Sequence, residues 1–97
     1  MIDLDKTCLD EVRRILRDHV PECEVRVFGS RVDGTARRYS DLDLALVDAK
    51  KLDSRRLARL KEAFSRSNLP ILVDVLDWSV TSPEFRKVIE KRYEVLQ

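Results

Sequence analysis

Residues Gly29 to Val47 read GSRVDGTARRYSDLDLALV. Both glycines of the chain, Gly29 and Gly34, fall inside this stretch. They lie in a twelve-residue loop, Gly29 to Ser40, that separates a short β-branched and aromatic run, Glu24 to Phe28, from a second run, Asp41 to Val47. In the second run Leu42, Leu44 and Leu46 alternate with their neighbours, which is the period of a strand with one face buried. Two strands joined by a loop of this length, with room for one helical turn inside it, point to a loop that works rather than merely connects.

Glycine permits a positive φ and lets another group come close to the backbone, as a phosphate-binding turn requires. At Gly29-Ser30-Arg31 a strand gives way to a possible helical turn, so free backbone N–H groups and the Ser30 hydroxyl are candidates to meet an anion. Arg31, Arg37 and Arg38 surround that position with positive charge. A Gly-Ser pair alone more often marks an ordinary loop with solvated arginines; Asp41-Leu42-Asp43 changes the balance. Residues two apart on a strand share a face, separated by about 6.6 Å along the chain, so the two carboxylates can converge on one or two cations while Leu42 and Leu44 face the core. Two such acids repel each other, and a divalent metal relieves the repulsion.

A third carboxylate interrupts the apolar run Ile71 to Leu76. Asp74 shares a strand face with Leu72 and Leu76, where an acid is costly unless it is paired, exposed or bound to metal. With this run beside the second strand, Asp41, Asp43 and Asp74 form one site. Asp77, on the opposite face by parity, and Asp33 and Asp48, off the motif, read as surface residues.

Outward from the motif, helices alternate with strands. A first helix is expected near Thr7, whose hydroxyl is followed three residues later by Asp10; Cys8, Val12, Ile15, Leu16 and His19 share one face, and Pro21 ends it. Asp53 or Ser54 caps a helix carrying Leu57, Leu60 and Phe64, stopped by Asn68 and Pro70. Ser82-Pro83 opens a last helix with Phe85, Val88, Ile89, Tyr93 and Leu96 on one face. The order α, β, β, α, β, α, without repeats, low-complexity tracts or linkers, predicts an α/β (α+β) fold: a small mixed sheet with flanking helices, one domain over residues 1–97.

With 97 residues and 43% hydrophobic content, the chain fits one domain and leaves no room for a separate substrate domain. Nineteen basic against eighteen acidic residues, net +1, give no overall field toward nucleic acid or membrane. Few aromatics interleave with the basic residues, which argues against a polynucleotide substrate; the run at Arg55, Arg56 and Arg59 reads as a solvated helix face. No apolar run approaches the roughly 20 residues of a membrane span, and the acidic start at Asp3 and Asp5 does not resemble a signal peptide, so a cytoplasmic location is expected. Cys8 and Cys23 are not spaced as a redox or zinc pair and read as reduced, structural thiols. Tyr39 and Trp78 could stack on a base, though such aromatics more often complete a core or an interface.

Gly29-Ser30, ten intervening residues, then Asp41-Leu42-Asp43 resembles the nucleotidyltransferase signature of the DNA polymerase β superfamily, and the full stretch resembles its minimal, MNT branch. VDVLDW and the end SPEFRKVIEKRYEVLQ are similar to the minimal proteins encoded beside a helical HEPN partner. The resemblance covers nearly the whole chain and implies a minimal polymerase β-type fold. It further implies that Asp41 and Asp43 bind two magnesium ions, that Asp74 completes the site, and that Gly29 and Ser30 hold the triphosphate of ATP. Arg37 is the arginine that best fits a triphosphate contact. The implied reaction moves AMP from ATP to a hydroxyl acceptor, a tyrosine of the HEPN toxin, in a hetero-oligomer or alongside self-association. Two alternatives are transfer to a small molecule held by a helical substrate-binding subunit, and neutralisation of the partner by binding alone.

Overall fold

The computed structural model describes residues 1–48 and 50–97. Asp5 caps the first helix, α1 (Lys6–His19), its carboxylate accepting the Cys8 N–H at 2.9 Å. The expected Thr7 start therefore lies inside the helix: Asp5 already stands three residues before an unsatisfied backbone donor and satisfies it. Next come β1 (Glu24–Phe28), a single turn α2 (Ser30–Asp33), β2 (Leu42–Val47) and α3 (Ser54–Arg66). Of the two expected caps for α3, it is Asp53 whose side chain takes the Arg55 N–H at 2.9 Å. Then follow β3 (Val73–Asp77), a 3₁₀ turn (Trp78–Val80), α4 (Pro83–Lys91) and β4 (Glu94–Val95). Ser82 and Pro83 open α4 as the sequence predicts.

Among the described residues the four strands form one sheet in the order β3-β2-β1-β4. β1 and β2 are antiparallel across the loop, and β3 lies parallel to β2 because α3 carries the chain back over one face. On that face Val25 and Val27 of β1, Leu42, Leu44 and Leu46 of β2 and Val75 of β3 meet Val12, Ile15 and Leu16 of α1 and Leu60 and Phe64 of α3. Register and alternation put Arg26, Phe28, Asp43, Ala45 and Asp74 on the other face. Phe85 of α4 meets Phe28 there edge-to-face, ring centroids 5.9 Å apart.

Further boundaries differ from the sequence expectation. β3 begins at Val73 rather than Ile71; Leu72 is 74% exposed and contributes its carbonyl to the Leu42 N–H at 2.9 Å. β3 also runs on through Asp77. The last helix stops at Lys91, and the expected helical residues Tyr93 and Leu96 belong to an extended tail. There β4 pairs with β1, Leu96 N–H donates to Val25 O at 2.7 Å, and Leu96 enters the core from the extended chain just after β4. Spacing of three and four residues cannot separate a short buried strand from a helix end. Gln97 fastens the tail by donating from Nε2 to the carbonyls of Val20 and Cys23 at 2.9 and 3.1 Å. Cys8 and Cys23 are free and buried, as expected. Burial pushes both thiols up, Cys23 to about 11. No helix among the described residues is long and apolar enough to cross a membrane.

Candidate active site

The loop between β1 and β2 is shaped by its two glycines in different ways. Gly29 has φ 80° and ψ −155°, and a Cβ there would fall 2.4 Å from the Asp43 Oδ2 atom. Its missing side chain thus serves both the backbone and the seat of the carboxylate. Gly34, at φ 88° and ψ 9°, closes α2 in the left-handed conformation with nothing near its Cβ position, so only its backbone freedom is used. Between them α2 is the helical turn expected inside the loop, with Val32 and Asp33 N–H both donating to Gly29 O at 3.0 Å. Ser30 is half-buried at its start.

Asp43 lies within β2, opposite Phe28 of β1 and Asp74 of β3. Pairing of β2 with β3 therefore brings the second and third predicted acids side by side on the face away from α1 and α3. Asp41 precedes the strand rather than belonging to it and is exposed, as is Asp74. Burial, then the Asp74 charge, then the Asp41 charge raise the Asp43 carboxyl from 3.8 to about 6. A half-buried acid flanked by two others, with its proton held this tightly, is an all-oxygen donor set short of positive charge, and these residues fit a divalent cation such as magnesium. Among the described residues, the three donors gathered within 4.8 Å of one another are instead Glu22, Cys23 and Asp48, away from the loop. There a bidentate Arg56 guanidinium already neutralises Glu22, and the Cys23 thiol is held protonated.

The arginines separate sharply. Arg31, expected among the groups facing an anion, is 6% exposed and turned inward, its guanidinium donating to the carbonyls of Asp3, Arg37, Arg38 and Ser40. Arg37 stays exposed, its backbone N–H held by Ser40 Oγ at 2.8 Å. Arg38 lies over the Tyr39 ring, which is 68% exposed.

Two features escaped the sequence reading. Asp77, expected at the surface, is buried: its carboxylate accepts from Leu52 N–H at 3.0 Å, Ser79 N–H at 2.9 Å and Ser79 Oγ at 2.8 Å. Burial pushes this acid up, but the bonds from Leu52 and Ser79, with help from Lys51, outweigh it and hold Asp77 below the usual carboxylate range. Parity was right about the face and wrong about what covers it, since that face is the core side. Arg26, on the same face as Asp43, sits between the rings of Trp78 at 4.9 Å and Tyr93 at 4.6 Å, so Trp78 stacks on the protein's own cations, Arg26 and Arg86. The isolated arginine among β-branched residues in Glu24 to Phe28 was the available signal.

The chain resembles known proteins along most of its length. The family model described as Polymerase beta, Nucleotidyltransferase matches residues 10–97. A probable protein adenylyltransferase, MntA, of Haemophilus influenzae is 50% identical over 96 residues, covering 99% of this chain and 84% of that protein. A crystal structure of a toxin-antitoxin with AMP-PNP superposes with a TM-score of 0.77 at 28% identity, over 92% of this chain and 72% of that one. A tri-AMPylated Shewanella oneidensis HEPN toxin in complex with its MNT antitoxin gives 0.71 at 23% identity, over 97% and 72%, a likeness of fold. The four-stranded fold, the family match over residues 10–97 and the 50% identity to MntA have one conclusion: this protein belongs to the Polymerase beta nucleotidyltransferase family.

Proposed function

We propose that this single domain, residues 1–97, transfers AMP from ATP to a tyrosine hydroxyl of a HEPN-type toxin and serves as its antitoxin. The observation that carries the reading is the register of Asp43 against Asp74, with Asp41 beside them and Gly29 under the Asp43 carboxylate. The MntA relative, named a protein adenylyltransferase, and the AMP-PNP-bound toxin-antitoxin structure support the donor and the acceptor class.

In this reading the Gly29-Ser30 turn offers backbone N–H groups and a hydroxyl to the triphosphate, and exposed Arg37 adds a planar cation to it. Asp41, Asp43 and Asp74 would hold two magnesium ions, which when bound supply charge neutralisation at the phosphate oxygens. Asp74, exposed at the edge strand, accepts the proton of the attacking hydroxyl. The acceptor oxygen bonds to the α-phosphorus as the bond to the β-phosphate oxygen breaks, leaving AMP on the acceptor and pyrophosphate free. Asp43 must be ionised for this, so its raised pKa means that, without a cation, the carboxyl is protonated and inactive at mildly acid pH.

The test is to incubate the chain with magnesium, α-labelled ATP and the protein encoded next to it. Label on the partner, lost in Asp41→Asn and Asp43→Asn, is expected. Label on a small molecule overturns the acceptor, and tight association without transfer overturns the enzymatic antitoxin role.

A further inference from the structure

Arg31 is a buried cation without an acid. It takes part in none of the ion pairs among the described residues. Its partners are carbonyl oxygens: Asp3 from Nη1 at 2.7 Å, Ser40 from Nε at 3.1 Å and Nη2 at 3.0 Å, Arg37 and Arg38 from Nη2 at 3.3 and 3.2 Å. Removing a guanidinium from water is costly unless its donors are met, and here the segment before α1 and the end of the loop, residues 37 to 40, are folded around it to meet them. The Arg31 carbonyl in turn accepts the Asp3 N–H at 2.7 Å.

This wiring joins three parts of the chain. Arg31 is the second residue of α2, directly after Gly29-Ser30; Arg37 to Ser40 have no regular structure and end at Asp41; Asp3 lies in the segment before α1. Within the same knot Ser40 accepts the Arg37 N–H on its hydroxyl and donates its own N–H to Arg37 O at 3.1 Å. Gly34 turns the chain out of α2, and Asp41, lying before β2, has no strand ladder of its own. Asp41 is thus held from one side by Leu42, whose N–H bonds to Leu72 O, and from the other by the bundle of carbonyls gathered on one guanidinium.

We propose that Arg31 is a positioning residue that holds Asp41 at a set place beside the Gly29-Ser30 turn, and thereby sets the affinity of the acidic site for its divalent cation. The inference rests on the acids being that site. A lysine keeps the charge but lacks the planar fork, so it cannot hold carbonyls on several sides at once.

The experiment compares the wild type, Arg31→Lys and Ser40→Ala by Mn2+ binding, read from water-proton relaxation, and by amide hydrogen exchange. Arg31→Lys is expected to weaken Mn2+ binding about tenfold or more, as loss of a ligand's support typically does, and to speed exchange at residues 37–42 while α1 and α3 stay protected. Ser40→Ala, which cuts one bond of the knot without touching a buried charge, is expected to shift both readouts the same way by less. Unchanged Mn2+ affinity in a folded Arg31→Lys protein overturns the proposal, as does faster exchange spread over the whole domain with affinity intact. Should Arg31→Lys fail to fold, Ser40→Ala decides: wild-type affinity and exchange there overturn it. A wild-type chain that binds no Mn2+ overturns the site reading and this inference together.

Discussion

Replacing Asp43 by asparagine should stabilise the metal-free protein. Its carboxyl is moved from 3.8 to about 6 by burial and by the charges of Asp74 and Asp41. Below the lower value both the folded and unfolded chains carry the proton, and Asp43 favours neither. Between about pH 4 and pH 6 the unfolded chain gives the proton up while the folded one keeps it, so stability is lost as pH rises, and above the folded value the full cost of an ionised Asp43 remains. The gap corresponds to about 3 kcal/mol at full coupling. Solvent still reaches a half-buried group, and screening reduces this to about 1–2 kcal/mol. For a domain of this size that is a rise in Tm of about 5–10 °C for Asp43→Asn at neutral pH. Thermal melts of both proteins across this range, in chelator and again in excess Mg2+, read the effect. The difference should close toward pH 4 and, for the wild type, shrink on adding the cation. A variant no more stable than wild type at neutral pH in chelator, or a difference independent of pH, would refute the account of three crowded acids.

Gly29→Ala places a methyl against Asp43 Oδ2 at a φ of 80°; a loss of about 1–3 kcal/mol in urea unfolding is expected, only partly recovered when Asp43 is also made alanine, because the backbone strain stays. Asp77→Ala removes the acceptor for Leu52 and Ser79 and should destabilise by about 2–3 kcal/mol while transfer per folded molecule is unchanged, a split that urea titration and activity assays on the same samples resolve. Asp74→Asn should slow transfer by about 10²–10⁴-fold with binding of an ATP analogue retained; loss of binding instead would remove Asp74 from the role of proton acceptor. Arg26→Ala should cost about 1–2 kcal/mol through its two aromatic faces, and equal melting temperatures would show that the sandwich contributes nothing.

The acids and glycines could be picked out from spacing because each breaks a local rule. An acid pair at the head of an apolar strand, an acid inside another strand and a chain's only two glycines in one loop are conflicts between propensity and place, and such conflicts gather at sites. The β1 limits and the Ser82-Pro83 start of α4 were legible for the opposite reason, since local preference and final structure agree there. What spacing could not show was burial at range. Asp77 was misplaced because strand parity tells faces apart without saying which is covered, and the Leu52 N–H that satisfies it comes from 25 positions away. Arg31 was read with Arg37 and Arg38 because three nearby arginines look alike until the fold supplies carbonyls to one of them. The final strand was hidden because its two paired residues are too few to set a period.

β2 occupies an inner position in the sheet, with ladders on both sides, whereas Asp41 stands on the approach to it. Asp43 cannot be displaced without shearing two sets of backbone bonds; Asp41 is braced by the loop carbonyls that converge on Arg31. The pair is a vice with one jaw cast into the frame and the other bolted on. Substitutions from Thr35 to Ser40 would therefore reach the bolted jaw while leaving the frame alone.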